Sequence, residues 1–147
     1  MKVSLKPVVL AVASTLMFVG VAQAQTVKLA MIEGMSGPMG GVGQNQLKHY
    51  QYAAERFSGK QANSGVTVEI VPMDSKGSPQ EALALLKKAA DDGIRFITQG
   101  NGSNVAGVLI DAVNKHNERN PGKEIVFLNY AAIDPDFTNS KCSPWHF

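Results

Sequence analysis

The sequence predicts an α/β fold built on a doubly wound parallel sheet, and two observations lead to this prediction. Four β-branched or apolar runs of strand length follow the first 24 residues. Each of the first three is followed by a segment whose apolar residues recur every three or four positions. Strands that alternate with helices form parallel sheets, because each helix carries the chain back to the starting edge. We therefore expect one sheet with helices on both faces.

The first 24 residues have the composition of a cleavable signal peptide. Lys2 and Lys6 precede a mostly apolar run over residues 7–22, and Ala22 and Ala24 supply the small side chains that signal peptidase requires. The alternative, an uncleaved membrane anchor, is disfavoured because the run is shorter than the ~20 residues of a spanning helix. Cleavage after Ala24 would export residues 25–147 to the periplasm, without a lipid anchor because Gln25, and not a cysteine, lies at the cleavage point.

The charge balance gives no indication of a nucleic acid or an anionic membrane as partner. Lys2 and Lys6 are two of the 14 basic residues, so residues 25–147 carry 12 basic and 12 acidic side chains. Cys142 is the single cysteine. Because an unpaired thiol is unusual in an exported protein, we expect its partner to lie outside this sequence.

The predicted strands occupy residues 27–32, 66–71, 94–98 and 124–129. Pro72 is expected to end the second of them, since proline has no N–H group for the ladder. The first predicted helix ends near Gly59. Its apolar residues recur at helical spacing and predict one buried face, formed by Leu47, Tyr50, Ala54 and Phe57.

The second predicted helix has the clearest boundaries. Ser78 suits the N-cap, Pro79 suits the first helical position, and Glu81 completes a capping box. Gly93 is expected to end this helix. Its predicted buried stripe consists of Leu83, Leu86 and Ala90. The third helix is expected to end before Pro121, with an inward face formed by Val105, Val108, Leu109, Ala112 and Val113.

Three loops follow the carboxyl ends of the predicted strands, where open parallel sheets bind ligands. They cover residues 34–43, 99–104 and 130–137. In the middle loop, Gly100 and Gly102 allow the backbone to approach a ligand closely. Ser103 and Asn104 begin a helix, whose free N–H groups attract a carboxylate or phosphate. Capping of that helix by Ser103 explains the same residues equally well, so the pattern leaves both interpretations open.

Motifs for nucleotide binding and catalysis are not matched. The glycine loop has Val105 where a dinucleotide site needs its last glycine or alanine, and Asp74 is interpreted as a turn residue. Neither Ser36 nor Cys142 has the neighbours of a catalytic nucleophile. The absence of a second metal ligand at suitable spacing favours surface side chains at His49, His116 and His146. We therefore expect no enzyme activity, no metal and no cofactor.

Five short segments occur in the order of a known family. They are Ser36-Gly37-Pro38, residues 74–82, residues 91–94, Gly102-Ser103-Asn104 and residues 131–135. Together they resemble periplasmic solute-binding proteins of the branched-chain amino acid type, the leucine/isoleucine/valine-binding family that supplies ABC importers. The resemblance covers nearly all of residues 25–147.

The resemblance implies a two-lobed protein that closes over its ligand without catalysis. Residues 25–147 would form an incomplete N-terminal lobe of a type I periplasmic binding protein. The implied partners are a small-molecule ligand, either an amino acid or an organic acid, and an ABC permease in the inner membrane. A monomer is expected. The alternative is a ligand-binding ectodomain of a sensor or receptor with the same fold.

The resemblance also implies which residues bind the ligand. Ser36 is an expected contact in the first loop. The α-carboxylate would be received by Gly102, Ser103 and Asn104, and the α-ammonium would be faced by Ala131, Ala132 and Ile133. Ile133 replaces the threonine or serine of many amino acid binders, so an acid without an ammonium group is a comparably good candidate ligand.

The family's chains are more than twice as long, and their second lobe follows where this sequence stops. One lobe supplies only part of the ligand contacts, so weak or undetectable binding is expected. We also expect exposed apolar surface and marginal stability. No closing helix or strand is expected in residues 141–147, which contain Trp145 and Phe147.

Overall fold

The computed structural model describes residues 25–58 and 65–147, so the predicted signal peptide lies outside the described residues. Four strands and three helices alternate along this part of the chain, as predicted. Their bounds are β1 Gln25–Glu33, α1 Gly40–Phe57, β2 Val66–Asp74, α2 Pro79–Asp91, β3 Phe96–Gln99, α3 Ser103–Arg119 and β4 Val126–Asn129. Short 3-10 helices cover Gly37–Met39 and Pro135–Thr138.

The four strands form one parallel sheet in the order β2-β1-β3-β4. Leu29 of β1 is in register with Ile70 of β2 on one side and with Phe96 of β3 on the other. After β1, the chain therefore adds β2 on one side of it and then crosses to add β3 on the other. This is the doubly wound topology, and its switch point lies between β1 and β3.

β2 is longer than the sequence predicts. Pro72, the predicted end of this strand, pairs with Met31, and β2 continues to Asp74. Because β2 lies at an edge of the sheet and is paired along only one side, it accommodates a residue that lacks an N–H group. β3 in turn begins at Phe96, two residues later than predicted.

The ends of α2 agree with the prediction. The Ser78 Oγ accepts a hydrogen bond from the Glu81 N–H at 3.4 Å, and Gly93 follows the helix with a φ of 79°. The Ser78 N–H donates to the Ser75 carbonyl at 2.8 Å instead of to Glu81. Only one half of the capping box is therefore formed.

The buried face of α2 differs from the predicted stripe. Leu83 is 39% exposed, whereas Ala82, Leu86 and Ala89 are buried. α2 packs against both α3 and β1, and successive helical residues differ by about 100° in direction. Contact with both neighbours brings Ala82 to the core and leaves Leu83 beside the groove between α2 and α3. In α3, all five predicted inward residues are buried or half-buried.

The two faces of the sheet are covered unequally. α2 and α3 cover one face, where the core includes Ala30, Ile32, Ile97 and Phe127. α1 alone lies on the other face, and three of the four residues in its predicted buried stripe are half-buried. Phe57, the fourth, is 69% exposed because it is the last residue of the helix. Phe96 and Leu128 are also exposed, which agrees with the predicted exposure of apolar surface.

The end of the chain pairs with β4 through an isolated bridge at His146 and forms no strand of its own. The Phe127 N–H donates to the Trp145 carbonyl at 2.8 Å, and the Asn129 N–H donates to the Phe147 carbonyl at 2.7 Å. Residues 145–147 thus extend the sheet in parallel at its β4 edge. Cys142 is free and exposed nearby. Within the described ranges, no helix is both long and apolar enough to cross a membrane.

Candidate functional site

The candidate site lies at the carboxyl edge of the sheet, beside the switch point. The last residues of neighbouring strands are in register there, since Glu33 pairs with Asp74 and Gln99 pairs with Asn129. All four side chains make hydrogen bonds to the loops that follow the strands. This edge therefore collects the three loops in which the sequence predicts ligand contacts.

α3 starts with three N–H groups that have no acceptor among the described residues, those of Gly102, Ser103 and Asn104. Gly102 is the N-cap, with a φ of 105° that glycine adopts readily. Its carbonyl accepts the N–H groups of Val105 and Ala106 at 3.1 Å. No side chain caps the helix, so the alternative that Ser103 serves as the cap is wrong. The free N–H groups and the positive end of the helix dipole favour an anionic group here.

Two more polar groups at this edge lack partners within residues 25–58 and 65–147. Gln99 is fully buried and donates from Nε2 to the Asn101 carbonyl at 2.8 Å, but its Oε1 accepts no hydrogen bond. The Asn101 Nδ2 is also buried and unpaired. An acceptor and a donor are thus available close to the free N–H groups of residues 102–104.

A buried carboxylate, that of Glu33, joins the three loops. Glu33 is 1% exposed at the end of β1. Its Oε1 accepts the Gly34 N–H at 2.9 Å. Its Oε2 accepts the N–H groups of Gly100 and Asn101 at 3.1 and 3.2 Å and the Tyr130 hydroxyl at 2.6 Å. This residue is not among those predicted from the sequence, although an acidic side chain that ends an apolar strand is a signal that could have found it.

The Tyr130 ring lies directly over Gly100. A Cβ atom at Gly100 would be 2.7 Å from the ring, so this glycine allows a close approach by Tyr130, whereas the sequence predicts a close approach to a ligand. Tyr50 packs against Tyr130 with ring centroids 5.6 Å apart. Burial, the hydrogen bond to Glu33 and the charge of Glu33 together raise the pKa of Tyr130 well above its ordinary value. The phenol therefore stays protonated and continues to donate to Glu33.

Asn129 shapes the loop after β4. Its Oδ1 accepts the N–H groups of Ala131 and Ala132 at 3.2 and 2.8 Å, and its Nδ2 donates to the Ala132 carbonyl at 2.8 Å. The Ala131 carbonyl accepts no hydrogen bond among the described residues. Ile133 is 88% exposed and lines a cavity of about 370 Å³. Residues 131–133 thus offer a free carbonyl oxygen and no hydroxyl.

His146 is not the surface side chain that the sequence predicts. Its ring packs against Phe127 and Phe137, with centroids 5.1 and 5.7 Å apart. Its Nε2 is buried without a partner within the described part of the chain, and burial lowers the pKa of His146. The prediction fails because residues 145–147 pair with β4 and carry the ring into the edge of the core. His49 is exposed, as predicted, and His116 is half-buried.

Asp74 fixes the first loop. Its Oδ1 accepts the N–H groups of Met35 and Lys76 at 2.9 and 2.8 Å, so it serves the predicted turn and also reaches across to the loop after β1. Burial opposes ionisation, but the Ser36 hydroxyl and the backbone N–H groups of Lys76, Met35 and Ser36 outweigh it and lower the pKa of Asp74. Ser36 is exposed, and its hydroxyl lies near enough to this carboxylate to help lower the pKa of Asp74.

The lowered pKa of Asp74 predicts a pH-dependent contribution to stability. The contribution should be fully present above the unfolded value of 3.8 and should be lost as pH falls through the lower folded value. We expect Asp74→Asn to remove this part of the acid dependence. The check is the thermal unfolding midpoint measured from neutral to acidic pH. Asp136→Asn is the control, since the exposed Asp136 carboxylate makes no hydrogen bond within the described residues, and an unchanged acid slope in Asp74→Asn would contradict the assignment.

A sequence model described as "Periplasmic binding protein" matches residues 26–147. The chain is 35% identical over 126 residues to the Leu/Ile/Val-binding protein homolog 4 of Brucella abortus (strain 2308), an alignment that covers 86% of this chain and 30% of the relative. It is 29% identical over 82 residues to the Leu/Ile/Val-binding protein of Escherichia coli (strain K12), covering 56% of this chain and 22% of that protein. The chain thus spans about a third or less of these relatives.

Solved structures of periplasmic binding proteins are similar in fold to this chain. The leucine-, isoleucine-, valine-, threonine- and alanine-binding protein of Brucella ovis, in a closed conformation, superposes with a TM-score of 0.76 at 35% identity, covering 84% of this chain and 32% of that one. A periplasmic binding protein of Burkholderia mallei superposes with a TM-score of 0.69 at 26% identity, covering 84% and 31%. The predicted fold class, the doubly wound sheet of type I periplasmic binding proteins, is confirmed.

Proposed function

This chain belongs to the periplasmic binding protein family, and we propose that it contributes to the solute-binding component of an ABC importer for branched-chain amino acids or related small carboxylates. The family consists of binding proteins, not enzymes. The names of the relatives support this class of ligand. The predicted signal peptide, cleaved after Ala24, would deliver residues 25–147 to the periplasm, where they would act as part of one lobe beside an inner-membrane permease.

The observation that carries the proposal is the set of free N–H groups at the start of α3. Gly102, Ser103 and Asn104 present three unpaired donors beside the switch point, and a ligand carboxylate is the acceptor that suits such donors best. The Ala131 carbonyl is available for the ligand's ammonium group. Because Ile133 brings no hydroxyl, the carboxylate is expected to contribute more to affinity than the ammonium.

A titration followed by amide NMR tests this assignment. Leucine should shift the amide resonances of residues 102–104, and the dissociation constant should be about 1 mM or weaker because one lobe supplies only part of the contacts. 4-Methylpentanoic acid, which keeps the carboxylate, should shift the same resonances. 3-Methylbutylamine, which lacks it, should not. The proposal fails if neither carboxylate shifts these resonances up to its solubility limit.

Two variants at Ser103 separate the N–H group from the hydroxyl. Proline is tolerated at the first position of a helix, so Ser103→Pro removes one N–H donor and leaves α3 intact. We expect it to weaken leucine binding by about tenfold, the effect of losing one hydrogen bond to a charged group. Ser103→Ala keeps the N–H and is the matched control. Because proline also lacks the hydroxyl, an equal loss of affinity in Ser103→Ala and Ser103→Pro would assign the carboxylate contact to the hydroxyl instead.

A further inference from the structure

Glu33 is the one buried acidic side chain within the described residues, and its hydrogen bonds extend beyond its own strand. Both oxygens accept hydrogen bonds from protein groups, which are three N–H groups and one hydroxyl. A carboxylate buried to this degree is costly unless such donors surround it. The hydrogen bonds that stabilise the buried Glu33 carboxylate therefore also fix the positions of its partners.

The partners of Glu33 belong to the loops on both sides of the α3 N-terminus. Gly100 and Asn101 lie immediately before Gly102, the N-cap of α3. Tyr130 enters from the loop after β4 and closes over Gly100, where no larger residue fits. Two contacts therefore fix the backbone that leads into the three free N–H groups. The Glu33 carboxylate accepts its N–H groups, and the Tyr130 ring packs against Gly100.

We propose that Glu33 is a positioning residue for ligand binding, because it fixes the backbone of Gly100 and Asn101 and thereby sets the direction of the free N–H groups at residues 102–104. Glu33 does not contact the ligand in this role, since its side chain is buried and its oxygens bind protein groups. The role rests on the proposed carboxylate site. It adds a residue of β1 to a site that is otherwise formed by the loops after β3 and β4.

Substitution by glutamine shows why the carboxylate is required. The four donors around Glu33 need an acceptor on both side-chain oxygens, whereas glutamine offers one carbonyl oxygen and one NH₂ group of nearly the same size. In Glu33→Gln, the NH₂ group must face at least one N–H or hydroxyl donor. Either the Gly34 contact or the group of contacts to Gly100, Asn101 and Tyr130 is then lost.

The experiment compares Glu33→Gln and Tyr130→Phe with the wild-type chain by the same amide NMR titration with leucine. In the ligand-free state, we expect the Gly100 and Asn101 amide proton resonances to move upfield in Glu33→Gln, since a neutral amide accepts their hydrogen bonds more weakly than a carboxylate does. Tyr130→Phe keeps the carboxylate and should shift these resonances less. Leucine affinity should fall by about tenfold in Glu33→Gln and by about threefold in Tyr130→Phe, which removes one of the four hydrogen bonds. The matched control is Glu69→Gln, on the exposed part of β2, which should change neither quantity.

The outcomes separate this inference from the proposed function. Failure of the wild-type chain to bind leucine or 4-methylpentanoic acid would overturn the proposed function, and the positioning role with it. Wild-type binding with unchanged affinity in both variants would overturn only the positioning role, even if both variants were less stable to urea. If Glu33→Gln does not fold, Tyr130→Phe provides the test, because it removes one of the four hydrogen bonds to Glu33 and keeps the ring over Gly100. Rescue of affinity by Glu33→Asp is not expected, since its shorter side chain cannot reach both loops.

Discussion

Gly43→Ala is expected to lower the free energy of unfolding by about 3 kcal/mol, a large effect for one methyl group. Gly43 is buried in the first turns of α1, and a Cβ atom there would lie well inside van der Waals contact of the Gly34 carbonyl oxygen. The obstacle is backbone, so no side-chain rotation relieves the clash. α1 must instead move away from the loop that follows β1.

Gly41→Ala is the matched control for this experiment. Gly41 lies in the same helix and is exposed, and a methyl group added there would meet no atom within 4 Å. Alanine is preferred over glycine in a helix, so Gly41→Ala should raise the unfolding free energy by about 0.5–1 kcal/mol. Urea unfolding measures both variants. Equal changes in unfolding free energy for the two substitutions would show that helix α1 does not pack closely against the Gly34 backbone at Gly43.

Asn117→Ala should also destabilise the protein by about 3 kcal/mol, through the loss of two buried hydrogen bonds. Asn117 is buried in α3, and its side chain donates to the Ile125 carbonyl at 2.9 Å and accepts the Ile125 N–H at 2.8 Å. Ile125 is fully buried just before β4. Truncation therefore leaves a donor and an acceptor without partners, and also removes the contact that fixes β4 against α3.

Glu118→Ala, at the adjacent exposed position of the same helix, is the control for Asn117→Ala. It should change the unfolding free energy by no more than about 0.5 kcal/mol. Hydrogen exchange adds a local measure, because the Ile125 amide should lose protection in Asn117→Ala and keep it in Glu118→Ala. Retained protection of Ile125 in Asn117→Ala would mean that another group, such as a water molecule, satisfies the exposed donor.

The alternation of strands and helices could be predicted because it depends on local periodicity. The apolar spacing of α3 and the start signals Ser78 and Pro79 of α2 are carried by neighbouring residues. The buried stripe of α2 was harder to predict. Leu83 and Ala82 differ by one position, and only the placement of α3 and β1 decides which of them faces the core.

Some residues around the candidate site could likewise be predicted from local sequence patterns, whereas the role of others depends on contacts between distant segments. Gly102, Ser103 and Asn104 could be predicted because a glycine turn before a helix is a local pattern. Glu33 has a local signal, an acidic side chain at the end of an apolar strand, but its partners could not be predicted, since residues 100, 101 and 130 are 67 to 97 positions away. The capping alternative for Ser103 was likewise decided only by the backbone, which makes Gly102 the N-cap.

By itself the sequence determined the α/β class, the order of the elements and the loop at which ligand contacts were expected, because these follow from hydrophobic period and turn residues within short windows. Only the tertiary structure decided which buried polar groups hold that loop. Hydrogen bonds such as those of Glu33 and Asn117 join residues from different elements, and their partners depend on strand order and register. Neither is encoded in any one segment of the chain.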